Sequence, residues 1–193
     1  MKENLILATQ NPGKIAEMST LLEEHFEVLG LPADMNKSEL PETGDTLEHN
    51  ALQKARFVYE HTGQLCLADD TGLEVDALSG RPGVYSARYA GPQKSADDNM
   101  ALLLKELQGI ADRKARFRTV MALVGNEVEE TFDGIVNGTI DAAPRGEGGF
   151  GYDPIFIPEG EHRTFAQMSK EEKGLISHRG RAIRAFLEYV RKP

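Results

Sequence analysis

Two adjacent carboxylates, Asp69 and Asp70, follow the apolar run 65–68 of the chain. A short apolar run predicts a buried strand, and ligands of α/β proteins gather at the carboxyl ends of such strands. Successive side chains of a strand point to opposite faces, so we expect these two carboxylates to have different roles. Their oxygens suit Mg²⁺ better than Zn²⁺, while a solvated acidic turn is the alternative interpretation.

A polar turn separates the apolar run 5–8 from residues with helical spacing, and it reads Thr9, Gln10, Asn11, Pro12, Gly13 and Lys14. Free backbone N–H groups and the positive end of the following helix suit a phosphate group, and Lys14 adds a positive charge. The turn lacks the leading glycine of a Walker A loop, and Ile15 replaces its hydroxyl residue. Phosphate binding and an ordinary strand-to-helix turn are both open.

Lys54 lies in a stripe of small apolar residues on a predicted helix that extends to about His61. A capping box of Asp45 and Glu48 predicts where this helix begins. A lysine in such a stripe either extends to solvent or is held over an anion. Glu42, in the loop before the helix, is a second candidate carboxylate, although most loop carboxylates are simply solvated.

The most glycine-dense segment of the chain is Gly148-Gly149-Phe150-Gly151-Tyr152-Asp153-Pro154. Glycines on both sides of an aromatic residue allow a planar ligand to approach the backbone closely. We expect Phe150 or Tyr152 to stack on a base and Asp153 to accept from its ring N–H groups. A tight structural loop, with Phe150 packed into the core, is the alternative.

A fifth candidate group is Ser177-His178-Arg179-Gly180, with Lys173 about one helical turn earlier. A histidine next to an arginine is typical of an anion or carbonyl site. A Ser-His-Asp hydrolase is weakly supported, because the chain has no Gly-x-Ser-x-Gly nucleophile elbow.

The elements that must position these residues interleave along the chain. Strands are predicted at 5–8, 26–31, 65–68 and 73–77, and a hairpin at 117–124 and 128–136. Helices are predicted from Lys14 to about His25, after Asp45, around Met100 to Leu107, after a Ser169–Glu172 capping box and near the C-terminus. Because the hairpin interrupts the alternation, we expect an α/β fold with a mixed sheet. No repeat or linker is seen, so residues 1–193 are expected to form a single domain.

Composition excludes several classes of partner. The 193 residues include 22 Lys+Arg and 31 Asp+Glu, for a net charge of −9. This balance argues against a general nucleic-acid binder and against docking on anionic membranes. The single cysteine, Cys66, rules out a disulfide within the chain and is expected to be buried. The apolar run 5–8 is too short for a signal-peptide core, so we expect a soluble cytoplasmic protein.

Taken in order, the five groups resemble the motifs of the inosine triphosphate pyrophosphatase family over nearly the whole chain. Each motif alone is modest, but the ordered set is highly specific. Thr71 and Gln10 are small departures, at positions where other residues are also common. The matching segments are Thr9-Gln10-Asn11-Pro12-Gly13-Lys14, Glu42-Thr43-Gly44, Asn50-Ala51, Lys54-Ala55, Ala68-Asp69-Asp70-Thr71-Gly72-Leu73, Pro82-Gly83-Val84-Tyr85-Ser86-Ala87-Arg88-Tyr89, Gly148-Gly149-Phe150-Gly151-Tyr152-Asp153-Pro154 and Ser177-His178-Arg179-Gly180.

The resemblance implies a mixed, twisted central sheet flanked by helices, with two lobes and the active site in the cleft between them. It also implies a homodimer. Glu42 and Asp70 would hold Mg²⁺, Asp70 would activate the attacking water, and Asp69 would support that site. The substrate-binding residues implied are Thr9, Gln10, Asn11, Pro12, Gly13, Lys14 and Lys54 for the phosphates, Thr71, then Phe150, Gly151, Tyr152 and Asp153 for the purine, Lys173 near base and phosphate, and His178 with Arg179 at the 6-keto group.

The activity implied is Mg²⁺-dependent hydrolysis of ITP, dITP and XTP to the monophosphate and pyrophosphate, which cleans the nucleotide pool. A pyrophosphatase for pyrimidine or modified nucleotides is a second enzyme hypothesis. A nucleotide-binding regulatory protein without catalysis is a third hypothesis. A nuclease would also use carboxylates and Mg²⁺, but the overall acidity counts against it.

Overall fold

The computed structural model describes residues 2–37 and 39–191 of the chain. The strands in these ranges are β1 (Glu3–Leu7), β2 (Phe26–Leu29), β3 (Cys66–Val75), β4 (Pro82–Gly83), β5 (Lys114–Gly125), β6 (Val128–Ile140) and β7 (Phe156–Pro158). The α-helices are α1 (Pro12–Leu22), α2 (Leu47–Thr62), α3 (Ala96–Glu106), α4 (Lys170–Ile176) and α5 (His178–Val190). Within the same ranges, none of the helices is long and apolar enough to span a bilayer.

The strands form one mixed sheet in the order β2-β1-β3-β5-β6-β7, with β4 beside β3. β1 runs parallel to both β2 and β3, and its Ile6 lies opposite Leu29 and Cys66 in the two registers. β4 is antiparallel to β3, and β7 is antiparallel to β6. This combination of parallel and antiparallel neighbours, with helices between the strands, confirms the predicted mixed α/β fold.

The chain divides into two compact units. Unit 1 comprises Met1–Asp70, Thr119–Gly134 and Arg179–Pro193, and unit 2 comprises Thr71–Arg118 and Ile135–His178. The boundaries fall inside β3, β5 and β6, so each of these strands contributes residues to both units.

In the core of unit 1, helices α1 and α5 pack on one face of β1 and β3. That face carries Leu5, Leu7 and Leu67, which have the same parity along their strands. Helix α2 buries a different set of residues, namely Leu47, Asn50, Ala51, Lys54, Ala55 and Val58. Because strand side chains alternate, Asp69 shares the face of Leu67 and Asp70 points the other way.

The core of unit 2 is built on α3 and on aromatic residues. Met100, Leu103 and Leu107 of α3 and its C-terminal end pack with the unit 2 segments of β3, β5 and β6. The ring of Phe156 lies 4.7 Å from that of Phe117 and 5.3 Å from that of Phe165, measured between centroids.

Two local predictions are wrong. The strands predicted at 65–68 and 73–77 are one continuous strand, β3, which runs through Asp69 and Asp70 to Val75. It can continue because both carboxylates are buried and paired rather than solvated. The N-cap of α2 is Thr46 rather than Asp45, since its side chain accepts from the backbone N–H of His49. The Ser169–Glu172 capping box at α4 is confirmed.

Candidate active site

The turn before α1 is organised by its own side chains. The Asn11 Oδ1 caps the helix by accepting from the N–H groups of Gly13 at 2.9 Å and Lys14 at 3.2 Å. Pro12 occupies the first turn, where it lacks only an N–H that the helix does not need. Thr9 is buried and its Oγ1 accepts from the Asn11 N–H, whereas Gln10 and Asn11 are exposed. The N–H groups of Asn11, Gly13 and Lys14 are therefore bonded within the turn rather than free as the sequence predicted.

Asp69 is fully buried between two cations. Its Oδ1 lies 3.1 Å from the Lys14 Nζ, and its Oδ2 accepts from the Arg179 Nε and Nη2 at 3.2 and 2.9 Å. Burial alone would raise the pKa of Asp69, but the charges of Lys14 and Arg179 outweigh it and hold the pKa well below its usual range. Arg179 is itself buried and gives its Nη1 to Glu17 at 2.5 Å. Asp69 is thus an ionised anchor joining α1 and α5.

Asp70 faces helix α2 instead. Its Oδ2 accepts from the Asn50 Nδ2 at 3.1 Å, and its Oδ1 lies 3.4 Å from the Lys54 Nζ. Burial raises the pKa of Asp70, while the charges of Lys54 and Lys14 only partly oppose that effect. The side chain is a carboxylate with a higher proton affinity than an exposed aspartate, held at both oxygens.

Lys54 is held over anions, which decides between the two interpretations of its place in an apolar stripe. Its Nζ contacts the Glu42 carboxylate and Asp70, and it donates to the backbone carbonyl of Asp69 at 2.7 Å. Burial would lower the pKa of Lys54, but the charges of Asp70 and Glu42 raise it above its ordinary value. The ammonium group stays charged and lies against two carboxylates at once.

The loop that carries Glu42 is tied to α2 at two points. The Gly44 N–H donates to the Asn50 Oδ1 at 2.8 Å, and Thr43 exchanges two hydrogen bonds of 2.9 Å with the Gln53 amide. A Cβ on Gly44 would lie 2.6 Å from the His49 ring and 2.9 Å from the Asn50 Oδ1. Only glycine allows this approach. We call Glu42, Lys14, Lys54, Asp69, Asp70, Asn50 and Arg179 the unit 1 cluster.

In unit 2, the predicted base-binding residues gather around one ion pair. The Lys173 Nζ lies 2.5 Å from the Asp153 Oδ2, which also accepts from the Phe150 N–H at 2.8 Å. The same Nζ lies 4.8 Å from the ring centroid of Phe150 and 5.5 Å from that of Phe165. Gly149 has φ +71°, and a Cβ there would lie 2.1 Å from the Asp153 carboxylate. The glycine-rich segment is therefore a tight loop folded around Asp153.

His178 and Tyr152 complete this set, which we call the unit 2 cluster together with Phe150, Asp153 and Lys173. The His178 ring stacks on Phe117, with centroids 4.5 Å apart. Tyr152 is buried, and its hydroxyl donates to the Ser86 carbonyl at 2.8 Å. Of the two rings expected to stack on a base, Phe150 or Tyr152, the structure buries that of Tyr152 in the core. Phe150 remains partly exposed, as do Gly151 and Thr71.

Sequence reasoning assigned no role to three contributors, Asn50, Glu17 and Ser86. Asn50 was visible as a polar residue in the same apolar stripe as Lys54, which is the signal that could have identified it. Glu17 gave no signal, since a glutamate one turn along a helix is ordinarily solvated. The Ser86 hydroxyl, which accepts from the Leu73 N–H at 2.8 Å and donates to the Gly83 carbonyl, ties β3 to β4.

Comparison with known proteins identifies relatives over almost the full length. The sequence pattern of the Ham1 family matches residues 5–189. A dITP/XTP pyrophosphatase of Porphyromonas gingivalis is 49% identical over 189 residues, covering 97% of each chain. The Staphylococcus aureus Ham1 protein is 41% identical and superposes with a TM-score of 0.86, covering 98% of this chain and 100% of that one. A nucleoside-triphosphatase / dITP/XTP pyrophosphatase from Mycobacterium abscessus is 46% identical with a TM-score of 0.74, covering 95% and 98%.

Proposed function

Because this chain belongs to the Ham1 family, we propose that it hydrolyses the noncanonical purine nucleotides ITP, dITP and XTP to the monophosphate and pyrophosphate, with Mg²⁺ as cofactor. Its enzyme class, a nucleoside triphosphate pyrophosphatase, is that of relatives matched along nearly their whole length. The substrates and the metal are our inference from the unit 1 cluster and from those relatives' names.

The observation that carries the proposal is the placement of two lysines against two adjacent carboxylates. Lys14 contacts Asp69, and Lys54 contacts Asp70 and Glu42. A triphosphate needs positive charge near its oxygens, and hydrolysis needs a carboxylate that can take a proton from water. The unit 1 cluster holds both kinds of group on buried, hydrogen-bonded side chains, which keeps their geometry fixed before substrate arrives.

The chemistry of the donor set fits Mg²⁺. Glu42 and Asp70 already share one cation, the Lys54 ammonium group, so their oxygens converge on a positive charge. Two carboxylates together with substrate phosphate oxygens are a usual protein environment for Mg²⁺. Within residues 2–37 and 39–191, no group of three or more His, Cys, Asp or Glu side chains could hold a metal by itself. When bound, Mg²⁺ would neutralise charge on the phosphate oxygens.

The remaining steps belong to the protein's own residues. We propose that Asp70 orients a water molecule toward the α-phosphorus and takes its proton as the water attacks. Its raised pKa, caused first by burial, suits a proton acceptor. Lys14, Lys54 and the capped start of α1 would stabilise the departing pyrophosphate. Asp69 would act indirectly, by holding Lys14 in place.

Base selection is proposed for the unit 2 cluster. The Phe150 ring offers an apolar face for a purine, and Lys173 and His178 carry donors suited to a 6-oxo group. A 6-amino group would present a donor to a donor, and a site built on such a bond rejects the mismatched analogue strongly. The Arg179 guanidinium gives its Nε, Nη1 and Nη2 to Asp69 and Glu17, so we propose that it anchors Asp69. Contact of Arg179 with the 6-keto group stays a prediction.

A panel of nucleotides tests the proposal. Pyrophosphate release is measured with ITP, dITP, XTP, GTP and ATP at mildly alkaline pH, with Mg²⁺ and with EDTA. We expect kcat/KM for ITP and XTP to exceed that for ATP by about 100-fold or more, and EDTA to abolish release. Intact ITP and XTP would contradict the proposal, and Mg²⁺-independent binding without product would favour a regulatory binding protein.

Assembly as a homodimer is also proposed, on the basis of the family resemblance. Light scattering of the purified protein would give twice the mass of one chain. The mass of a single chain at working concentrations would remove this part of the proposal without affecting the activity.

A further inference from the structure

Asn50 uses both ends of its amide. Its side chain is buried, with 1% of its surface exposed. The Nδ2 donates to the Asp70 Oδ2 at 3.1 Å, and the Oδ1 accepts from the Gly44 N–H at 2.8 Å. One side chain therefore connects the carboxylate proposed for catalysis with the loop that carries Glu42, the second carboxylate of the pair.

Lys54, one turn further along α2, makes a parallel connection. It contacts the other oxygen of Asp70 and the carboxylate of Glu42. Residues at i and i+4 lie on the same side of a helix, so Asn50 and Lys54 hold Asp70 at its two oxygens from adjacent positions. The two differ in one respect: Lys54 carries a charge that substrate phosphates attract, whereas Asn50 is neutral.

We propose that Asn50 is a positioning residue for the reaction, which sets the orientation of Asp70 relative to Glu42. This inference rests on the proposed function, because it assigns Asp70 and Glu42 to catalysis and metal binding. A neutral amide keeps its bonds when a metal or a phosphate competes for the lysine. Asn50 thereby preserves the spacing of the two carboxylates while Lys54 moves to another anion.

The chain offers a matched control on the same helix. Gln53 anchors the same loop through Thr43, since its side-chain amide makes two hydrogen bonds of 2.9 Å with that residue. Asn50→Leu and Gln53→Met each remove an amide while keeping a similar volume. Asn50→Asp is a second variant, because it keeps the acceptor for the Gly44 N–H and replaces the donor to Asp70 with a carboxylate oxygen that repels Asp70.

Steady-state kinetics with ITP, melting curves and binding of a nonhydrolysable ITP analogue are measured for all four proteins. We expect Asn50→Leu and Asn50→Asp to lower kcat by about 10- to 100-fold, with Gln53→Met within about twofold of wild type. In EDTA, we expect the dissociation constant of the analogue for Asn50→Leu to stay within about threefold of the wild-type value. Mg²⁺ should lower that constant about tenfold less in Asn50→Leu than in wild type.

The results separate this inference from the proposed function. The positioning role would be overturned if Asn50→Asp had the kcat of wild type, or if Gln53→Met lost as much kcat as the Asn50 variants. Neither result would affect the proposed function. A wild-type protein that releases no pyrophosphate would instead overturn the proposed function. If Asn50→Leu does not fold, the Asn50→Asp variant carries the same prediction and the same refutation.

Discussion

The two clusters of the molecule use buried charge in different ways. In unit 1, the carboxylates of Asp69 and Asp70 contact three cations, and two of these, Lys54 and Arg179, also contact a second carboxylate. In unit 2, one ion pair between Asp153 and Lys173 is surrounded by aromatic rings. A network of exchangeable charges suits a multiply charged phosphate and a metal, whereas a cation against aromatic faces suits a planar ring. The difference predicts that mutations in the clusters separate phosphate chemistry from base selection.

Loss of the proposed base should have the largest effect. Asp70→Asn keeps the size of the side chain and one acceptor oxygen, which can face Asn50 or Lys54 but not both, and it removes the proton acceptor. We expect kcat for ITP to fall by about 10²- to 10⁴-fold, while the dissociation constant for ITP measured in EDTA changes little. Glu74→Gln is the control, since Glu74 pairs with Arg116 in unit 2. Full turnover in Asp70→Asn would show that unit 1 does not supply the base.

The next largest effect is expected from replacing Asp69, the buried carboxylate that joins α1 and α5. We expect Asp69→Asn to lower the free energy of unfolding by about 3–5 kcal/mol near neutral pH, because Lys14 and Arg179 lose a buried partner. The pKa of Asp69 is depressed in the folded state, so its stabilisation is complete above the unfolded pKa of about 3.9 and is lost as pH falls through the lower folded value. Urea titrations of both proteins should show a constant difference from pH 8 to about pH 5 that narrows below about pH 4. A difference that grows on acidification would contradict the assignment.

The sequence predicts the parts of the unit 1 cluster that depend on local backbone geometry better than the contacts between residues far apart in the chain. Strand alternation placed Asp69 and Asp70 on opposite faces, and their partners agree: Lys14 and Arg179 for the first residue, Asn50 and Lys54 for the second. Helical periodicity likewise placed Lys54 in an apolar stripe. Both rules depend only on local backbone geometry, which neighbouring residues determine.

Contacts between distant segments could not be predicted in the same way. The partner of Arg179 on β3 is 110 residues away, and its partner Glu17 is 162 residues away. The segment Ser177-His178-Arg179-Gly180 suggested an anion site. The packing of α5 against α1 and β3 determines that the anions bound by Arg179 are the carboxylates of Asp69 and Glu17. The burial of Tyr152 could not be predicted for the same reason. A tyrosine is equally suited to a place in the core and to stacking on a base, and only the packing of distant segments decides between them.

Substitutions of Lys14 in the unit 1 cluster and of Phe150 in the unit 2 cluster should have smaller effects, and they test the division between the clusters most clearly. Inorganic tripolyphosphate carries no base, so its inhibition constant reports on phosphate contacts alone. We expect Lys14→Met to raise that constant by about 10- to 100-fold, and Phe150→Leu to leave it within about twofold. Phe150→Leu should instead raise KM for ITP by about 5- to 100-fold through lost stacking. If each variant affected both ligands equally, the division of labour would be wrong.

The smallest effect concerns the strand beneath the unit 1 cluster. Burial raises the pKa of the Cys66 thiol to about 11, so little thiolate exists at pH 8. We expect iodoacetamide to leave Cys66 unmodified in the native protein and to label it in urea, as measured by mass spectrometry. Rapid native labelling would indicate that β3 opens and that the cluster is less rigid than the structure implies.

The central claim, that unit 1 directs water to the α-phosphorus, has a direct test. ITP is hydrolysed in H₂¹⁸O with Mg²⁺, and the two products are analysed by mass spectrometry. We expect one ¹⁸O atom in the inosine monophosphate and none in the pyrophosphate. Label in the pyrophosphate would mean attack at the β-phosphorus and would contradict the proposed attack on the α-phosphorus.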